Sequence, residues 1–165
     1  MSGPLSGIKI IDLSSVISGP VATVLLADQG ADVIKVEAPQ GDIVRKMGLG
    51  KNNLSPAFVS ANRGKRSICI DLKESKGLVV VKKLVAEADV FIQNFRPGAI
   101  ERMGLSYDIL SVLNPRLIYV SVSGFGETGP YAHKRVYDPV IQALTGLPDV
   151  QADSATSRPK MVRTI

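Results

Sequence analysis

A short segment after the middle of the chain contains the residues best suited to bind an anion. The apolar run 90–92 is followed directly by residues 94–98 (Asn-Phe-Arg-Pro-Gly), and Arg102 lies in the short helix predicted next. In open α/β sheets, ligands bind outside the carboxyl ends of the strands. Guanidinium groups, an amide and the first N–H groups of a helix all donate to phosphates and carboxylates. The segment therefore predicts an anion site, and an ordinary turn with solvated arginines is the alternative.

Two later segments are further candidates for a ligand site. The loop 123–130 has three glycines directly after a predicted strand, so a ligand could approach its backbone closely, although a tight reversal explains them equally well. Arg135, Tyr137 and Asp138 place a cation, a phenol and a carboxylate at a predicted helix start. They could stabilise an oxyanion or bind a substrate carboxylate. An N-cap aspartate beside a packing tyrosine is the alternative.

Several common sites are excluded by the sequence. The first predicted strand-to-helix turn, residues 14–20, has one glycine and a proline where a dinucleotide-binding fold needs three glycines. Glu37 ends the second predicted strand, where a ribose-binding acid would lie, but without those glycines the signal is weak. No Gly-x-Ser-x-Gly elbow, Walker loop or zinc spacing is present, and the single histidine, His133, has no partner for a metal. The sequence thus predicts neither a nicotinamide site nor a metal site.

Three residues around the third predicted strand also carry local predictions. Cys69 lies inside an apolar run and is expected to be a buried structural thiol rather than a nucleophile. Lys65 and Arg66 precede that run and are expected to be solvated, although they could contact a phosphate.

The composition is that of a globular protein. The 165 residues are 45% apolar and 21% charged, which is enough for one domain with a core. The net charge of +5 is spread along the chain without a basic block, so it favours a small acidic ligand over nucleic acid. A single cysteine excludes an internal disulfide, and no signal pattern or apolar run of membrane length is present. We therefore expect a soluble, cytoplasmic protein without a membrane partner.

The order of predicted elements indicates the fold class. Strands are expected at 7–13, 32–37, 67–72, 90–92 and 117–122. Helices are expected at 20–29, 74–87, 107–113 and 138–144, with an irregular segment at 38–62. This alternation predicts an α/β fold with an open, mainly parallel sheet and helices on both faces. We expect residues 1–148 to form the ligand-binding part and residues 149–165 a polar segment.

The ordered motifs of this chain resemble the N-terminal half of family III CoA-transferases, the formyl-CoA/carnitine-CoA transferase group. The resemblance covers nearly the whole chain and includes residues 26–37 (LADQGADVIKVE), 62–67 (NRGKRS), 94–98 (NFRPG) and 123–131 (SGFGETGPY). It implies a Rossmann-like large domain in an interlocked homodimer. It also implies coenzyme A or acyl-CoA as a substrate, with no permanently bound cofactor.

The resemblance also implies which residues contact CoA. By position these are Ile17, Ser18, Ile70, Asp71, Leu72, Lys73, Asn94, Phe95, Arg96, Arg102 and Arg135, with Tyr137 and Asp138 in a supporting role. Arg96 and Arg102 are the side chains expected to bind its phosphates. Some members have a basic residue against the nucleotide where this chain has Ala38, so that contact is expected to be missing here.

The implied reaction transfers CoA from an acyl-CoA donor to a carboxylic acid through an aspartyl-CoA thioester. In the family, the nucleophilic aspartate follows a short apolar segment resembling residues 160–165, so we expect it just after Ile165. The chain is then a fragment without its nucleophile. One alternative is an α-methylacyl-CoA racemase, which has a histidine where this chain has Tyr137, a poor base at neutral pH because its pKa is about 10. The other is a non-catalytic nucleotide-binding module.

Overall fold

A five-stranded parallel sheet forms the centre of the fold in a computed structural model that describes residues 3–154 and 156–162. The strands are β1 (Lys9–Asp12), β2 (Asp32–Glu37), β3 (Arg66–Cys69), β4 (Val90–Gln93) and β5 (Ile118–Ser121). Their order across the sheet is β3-β2-β1-β4-β5, and every neighbouring pair is parallel. The predicted α/β class with an open parallel sheet is confirmed.

Helices connect the strands and follow the last one. They are α1 (Ser18–Asp28), α2 (Pro56–Asn62), α3 (Ser75–Ala86), α4 (Ala99–Arg102), α5 (Tyr107–Leu113), α6 (Asp138–Thr145) and α7 (Leu147–Val150). A 3₁₀ helix covers Ile43–Lys46. No helix in the described part of the chain is long and apolar enough to cross a membrane.

Apolar residues cover both faces of the sheet, as side-chain alternation along a strand requires. Ile11 of β1 belongs to a core cluster with Phe91 and with Val81 and Val85 of α3. The neighbouring Ile10 faces the other way, into a second cluster that includes Val33, Ile92 and, at its margin, Leu26 of α1. Helices therefore pack on both faces of the sheet.

The chain divides into two compact units. The first extends to Ser123 and contains the sheet, and the second begins at Gly124 and contains α6 and α7. The division expected at residue 148 on sequence grounds stays a prediction.

The irregular segment predicted at 38–62 contains ordered structure instead. Ser55 accepts a hydrogen bond from the Phe58 N–H at 3.0 Å, and Pro56 occupies the first turn of α2, so this helix starts with a cap and a proline. Phe58 and Ala61 are buried by the helix. The prediction was wrong for residues 43–46 and 56–62, where tertiary burial of apolar residues outweighed a composition rich in glycine, asparagine and proline.

The prediction that Cys69 is buried was also wrong, because its side chain is exposed. β3 is an outer strand of the sheet, and its Ile68 packs against the core cluster on one face. Cys69 therefore points to the opposite face, where it is left in solvent.

Candidate functional site

The strand order reverses between β1 and β4, and a crevice at such a switch point is where open α/β sheets bind ligands. A side chain from the β4 loop joins the two loops that leave these strands. The amide nitrogen of Asn94 donates to the backbone oxygen of Ser15 at 2.7 Å, and its oxygen accepts from the Ser15 N–H at 2.9 Å. The loop before Ile17 and Ser18 is thus fastened to the segment 94–96, although the two are far apart in sequence.

The β1 loop ends in unused backbone donors. Helix α1 begins at Ser18, and its N-cap residue, Ile17, supplies no side-chain cap. In residues 3–154 and 156–162, the N–H groups of Ile17, Ser18 and Gly19 donate to no protein acceptor. Unpaired N–H groups at a helix N-terminus, together with the helix dipole, favour an anion.

The β4 loop contributes two arginines. Gly98 has a φ of +82° at the start of α4, and a Cβ there would lie 3.1 Å from the Arg102 guanidinium, which therefore packs back across the loop. Arg96 and Arg102 are both exposed, and neither forms an ion pair with any carboxylate in the described residues. Phe95 is positioned by its N–H, which donates to the buried Gln93 side chain at 2.7 Å. Two unpaired cations therefore lie beside the switch point.

The β3 loop, residues 70–73, leaves the sheet at the carboxyl ends of the strands, as the β1 and β4 loops do. Ile70 is buried and its N–H donates to the Glu37 backbone oxygen at 2.8 Å, which fixes where the loop starts. The Asp71 carboxylate accepts from the Lys73 N–H at 2.9 Å and shapes the turn. β3 is separated from β1 by one strand, so the β3 and β1 loops leave the sheet about 10 Å apart. An extended ligand could contact both loops.

A buried ion pair lies at the carboxyl end of β1, and the sequence analysis did not predict it. The Lys65 side chain is 1% exposed, and its Nζ lies 2.9 Å from the Asp12 carboxylate, from the Pro20 backbone oxygen and from the Asn62 side-chain oxygen. The prediction that Lys65 is solvated or contacts a phosphate was therefore wrong. Burial lowers the pKa of the Lys65 ammonium, and the attraction of Asp12 only partly offsets it.

Asp12 is completely buried at the end of β1. Burial alone would raise the pKa of this carboxyl, but Lys65 and hydrogen bonds from Ser14 and Thr23 together hold it below its usual value. The hydroxyl of Thr23 donates to Asp12 at 2.6 Å. The start of α1 is thereby tied to the end of β1.

Arg66 also has a carboxylate partner, at the amino ends of the strands. It forms an exposed ion pair with Asp32, with guanidinium-to-carboxylate distances of 2.9 and 2.5 Å. Both residues begin their strands, so this pair lies away from the switch point. Arg66 is exposed as predicted and takes no part in the candidate site.

A second buried cluster lies beside the first. Lys35 Nζ lies 3.1 Å from the Asp42 carboxylate, and both side chains are nearly inaccessible to solvent. Glu37 binds Arg45 through both carboxylate oxygens, at 2.7 and 2.6 Å. The sequence signal for these pairs is a lysine inside an otherwise buried strand, because an internal lysine needs a carboxylate partner.

Glu37 is therefore engaged by protein groups rather than open to a ribose. Burial opposes its ionisation, but the hydrogen bonds from Arg45 and from the Asp42 backbone, with the Arg45 charge, lower the pKa of Glu37 to about 2.

The Glu37 pKa predicts a specific acid sensitivity. A carboxyl whose pKa falls from 4.5 to about 2 on folding adds stability that is present above pH 4.5 and is lost as the pH falls towards 2. Replacing Glu37 with glutamine should lower the free energy of unfolding by roughly 2 kcal/mol at pH 7, a modest amount because Arg45 is partly exposed. At pH 2 the loss should be much smaller, because much of the Glu37 carboxyl is then protonated in the wild type as well. Urea unfolding of both proteins at pH 2 to 7 measures the difference. A difference that does not change with pH would contradict the assignment.

Arg135, Tyr137 and Asp138 lie in the second unit, where Tyr137 is the N-cap residue of α6 and is 71% exposed. The Asp138 carboxylate accepts a hydrogen bond from the buried Gln142 amide. The same Gln142 side chain pairs with the backbone N–H and oxygen of Val162, both at 2.8 Å. Helix α6 thereby positions the end of the described chain, and residues 163–165 lie outside the described residues.

The glycine loop of this unit favours the tight-reversal interpretation at one position. A Cβ on Gly124 would lie 1.9 Å from the Val136 side chain, so glycine is required there by packing. His133 is exposed in a turn. In the described ranges, no three or more histidine, cysteine, aspartate or glutamate side chains come together as a metal site would need.

Comparison with known proteins decides the family. The sequence pattern of CoA-transferase family III matches residues 5–165. The chain belongs to CoA-transferase family III. It is 48% identical over 158 residues to a succinate–glutarate CoA-transferase of Agrobacterium fabrum, covering 91% of this chain and 40% of that protein. It is 45% identical over 146 residues to an acetyl-CoA:oxalate CoA-transferase of Acetobacter aceti, covering 88% and 38%.

Solved structures of the family agree. The chain superimposes on the crystal structure of a CAIB/BAIF family protein from Brucella suis with a TM-score of 0.92 and 40% identity, covering 100% of this chain and 44% of that one. The resemblance and the fold inferred from the motifs are confirmed. The chain spans about two-fifths of the length of these family III relatives.

Proposed function

We propose that this chain is the CoA-binding, N-terminal part of an enzyme that transfers CoA from an acyl-CoA donor to a carboxylic acid. One observation carries the proposal. The two hydrogen bonds between Asn94 and Ser15 bring the loop that carries Arg96 and Arg102 against the loop that ends in the unused N–H groups of Ile17 and Ser18, at the switch point of the sheet. CoA is a phosphorylated ligand, and such donors suit its phosphates. Membership of the family supports the same conclusion.

The remaining proposed contacts in the first unit lie in loops at the carboxyl ends of the strands. Residues 70–73 leave the sheet two strands away from Ile17, so an extended CoA molecule could contact both loops. Asn94 and Phe95 shape the crevice between the β1 and β4 loops. On the strength of the family resemblance, Arg135 is proposed as a further CoA contact, with Tyr137 and Asp138 as supporting groups.

The proposed transfer reaction requires CoA to stay bound to the enzyme through several steps. In the proposed reaction an aspartate attacks the thioester carbonyl and expels CoA as a thiolate, which leaves an acyl-aspartyl anhydride. The thiolate attacks the aspartyl carbonyl, so the donor acid leaves and an aspartyl-CoA thioester forms. The acceptor carboxylate then expels the thiolate again and forms a second anhydride, from which the returning thiolate takes the acceptor acyl group. Because the thiolate leaves and returns twice, its phosphate end must stay bound throughout.

The nucleophile is proposed to follow Ile165, in a polypeptide longer than these 165 residues. We further propose that the complete protein is an interlocked homodimer in the cytoplasm. The coding sequence after residue 165 separates this from a non-catalytic module. An open frame with an aspartate within a few codons supports the transferase, and a genuine stop codon would contradict it.

The names of the relatives support a dicarboxylic acid as the acceptor, since they specify glutarate and oxalate. Assays of the protein as its gene encodes it, with succinyl-CoA and either acid, would test this choice. The racemase alternative predicts exchange of the substrate α-proton instead. Exchange without CoA transfer would contradict the proposal, whereas Tyr137 in place of a histidine leads us to expect transfer without exchange.

The phosphate contact itself is tested by replacing Arg102 with alanine. We expect CoA affinity to fall about tenfold, because a charged hydrogen bond to a phosphate is worth roughly 1.5 kcal/mol or more. Isothermal titration calorimetry with CoA measures the change. Arg116→Ala is the matched control. Arg116 is also exposed but precedes β5, so it lies at the amino ends of the strands, away from the candidate site. Equal affinities of Arg102→Ala and wild type would remove Arg102 from the site.

A further inference from the structure

One residue of the β1 loop has a strained backbone. Val16 has a φ of +68°, in the left-handed region that suits glycine and is costly for a β-branched side chain. It lies between Ser15, which Asn94 binds, and Ile17, the N-cap of α1. Such strain persists only where surrounding groups enforce it.

The buried Lys35–Asp42 pair contacts the backbone on either side of this strained residue. Both carboxylate oxygens of Asp42 lie 3.2 Å from the Val16 N–H. Lys35 Nζ lies 3.1 Å from Asp42 and also donates to the Ser14 backbone oxygen at 2.9 Å. The pair therefore holds the loop on both sides of Ser15.

Stability alone does not account for this arrangement. A buried ion pair is often no more stabilising than apolar residues of similar size, because both charges lose their hydration. A loop without a ligand to bind could relax Val16 into an ordinary conformation. The buried pair and the strained residue instead act together on the segment that ends in the unused N–H groups of Ile17 and Ser18.

We propose that Lys35 and Asp42 are positioning residues for CoA binding. They hold Val16 in its strained conformation, which places the N–H groups of Ile17 and Ser18 where an anionic part of CoA can accept from them. This inference rests on the proposed function. Neither Lys35 nor Asp42 touches the ligand, and both act through the backbone of residues 14–16.

The strain is tested first by two substitutions at one position, in the protein as its gene encodes it. Val16→Ala reduces the side chain to a methyl group and Val16→Gly removes it, and only glycine adopts a positive φ freely. We expect the glycine variant to unfold at a higher urea concentration than the alanine variant. A higher midpoint for alanine, the usual order of these two residues, would overturn the proposal.

The positioning role is tested by CoA affinity and kinetics. Asp42→Asn should weaken CoA binding about tenfold and raise the KM for acyl-CoA, with kcat changed less than twofold. Adding Val16→Gly should restore most of that affinity, because glycine needs no enforcement. Glu37→Gln is the control, since Glu37 lies in the adjacent ion pair and accepts from the Asp42 N–H but does not contact Val16. It should leave CoA affinity within about twofold of wild type.

Equal CoA affinities of Asp42→Asn and Glu37→Gln would overturn the positioning role. A wild-type protein that binds no CoA would overturn the proposed function and the ligand part of this inference with it. The glycine and alanine variants of Val16 separate that failure from an absence of strain, because their order of stability needs no ligand.

Discussion

Replacing Asp12 with asparagine is expected to lower the free energy of unfolding by about 3–5 kcal/mol, the cost of leaving a buried charge without its partner. The Lys65 side chain is 1% exposed, and in the variant every acceptor around its ammonium, including the new amide, would be a neutral oxygen. The two carboxylate oxygens of Asp12 also accept from Ser14 and Thr23, and the single amide oxygen of asparagine cannot replace all of these bonds. Urea unfolding at pH 7 measures the loss.

The matched control for this variant is Asp32→Asn. Asp32 pairs with Arg66 at a similar distance, but the two side chains are 44% and 65% exposed. An exposed pair contributes only about 0–1 kcal/mol, so this control should unfold nearly as wild type does. Similar losses from the two variants would show that burial does not set the strength of the Asp12–Lys65 pair.

The Asp12 effect should also depend on pH in a defined direction. The pKa of Asp12 is below its usual value of 3.8 in the folded protein, so its contribution is present above pH 3.8 and disappears as the pH falls through the folded pKa. The difference between wild type and Asp12→Asn should therefore shrink in acid.

Replacing Gly77 with alanine is the second change with a large expected effect, about 3 kcal/mol of lost stability, at the upper end for overpacking. A Cβ on Gly77 would lie 2.1 Å from the Asp71 backbone oxygen and 2.9 Å from the Ile70 side chain. Helix α3 and the β3 loop would have to separate, although alanine normally stabilises a helix relative to glycine. Thermal or urea unfolding measures the stability loss, and calorimetry should show weaker CoA binding because residues 70–73 move.

Gly7→Ala separates this overlap from backbone strain. Gly7 has a φ of +91° and no atom within 4 Å of an added Cβ, so alanine there costs only the strain of a positive φ, about 1 kcal/mol. A loss at Gly77 no larger than that at Gly7 would contradict the close approach of α3 to the β3 loop.

The order and type of the main elements could be predicted from the sequence alone. β2 was predicted at 32–37 and α5 at 107–113, and both have these bounds in the structure. Both signals are local, since apolar runs and helical spacing are properties of adjacent residues. The motif 94–98 was likewise recognisable because its chemistry lies within five residues.

Tertiary structure alone decided which charged groups are free to bind a ligand. In the sequence Lys65 and Arg102 are equivalent cations, yet Lys65 is buried against Asp12, 53 residues away, while Arg102 is unpaired in the described chain. Cys69 is exposed because β3 is an edge strand of the sheet. The position of a strand within a sheet cannot be read from a local sequence pattern. The strand order determined which residues meet, and a buried charge needs a partner that only the folded chain can supply.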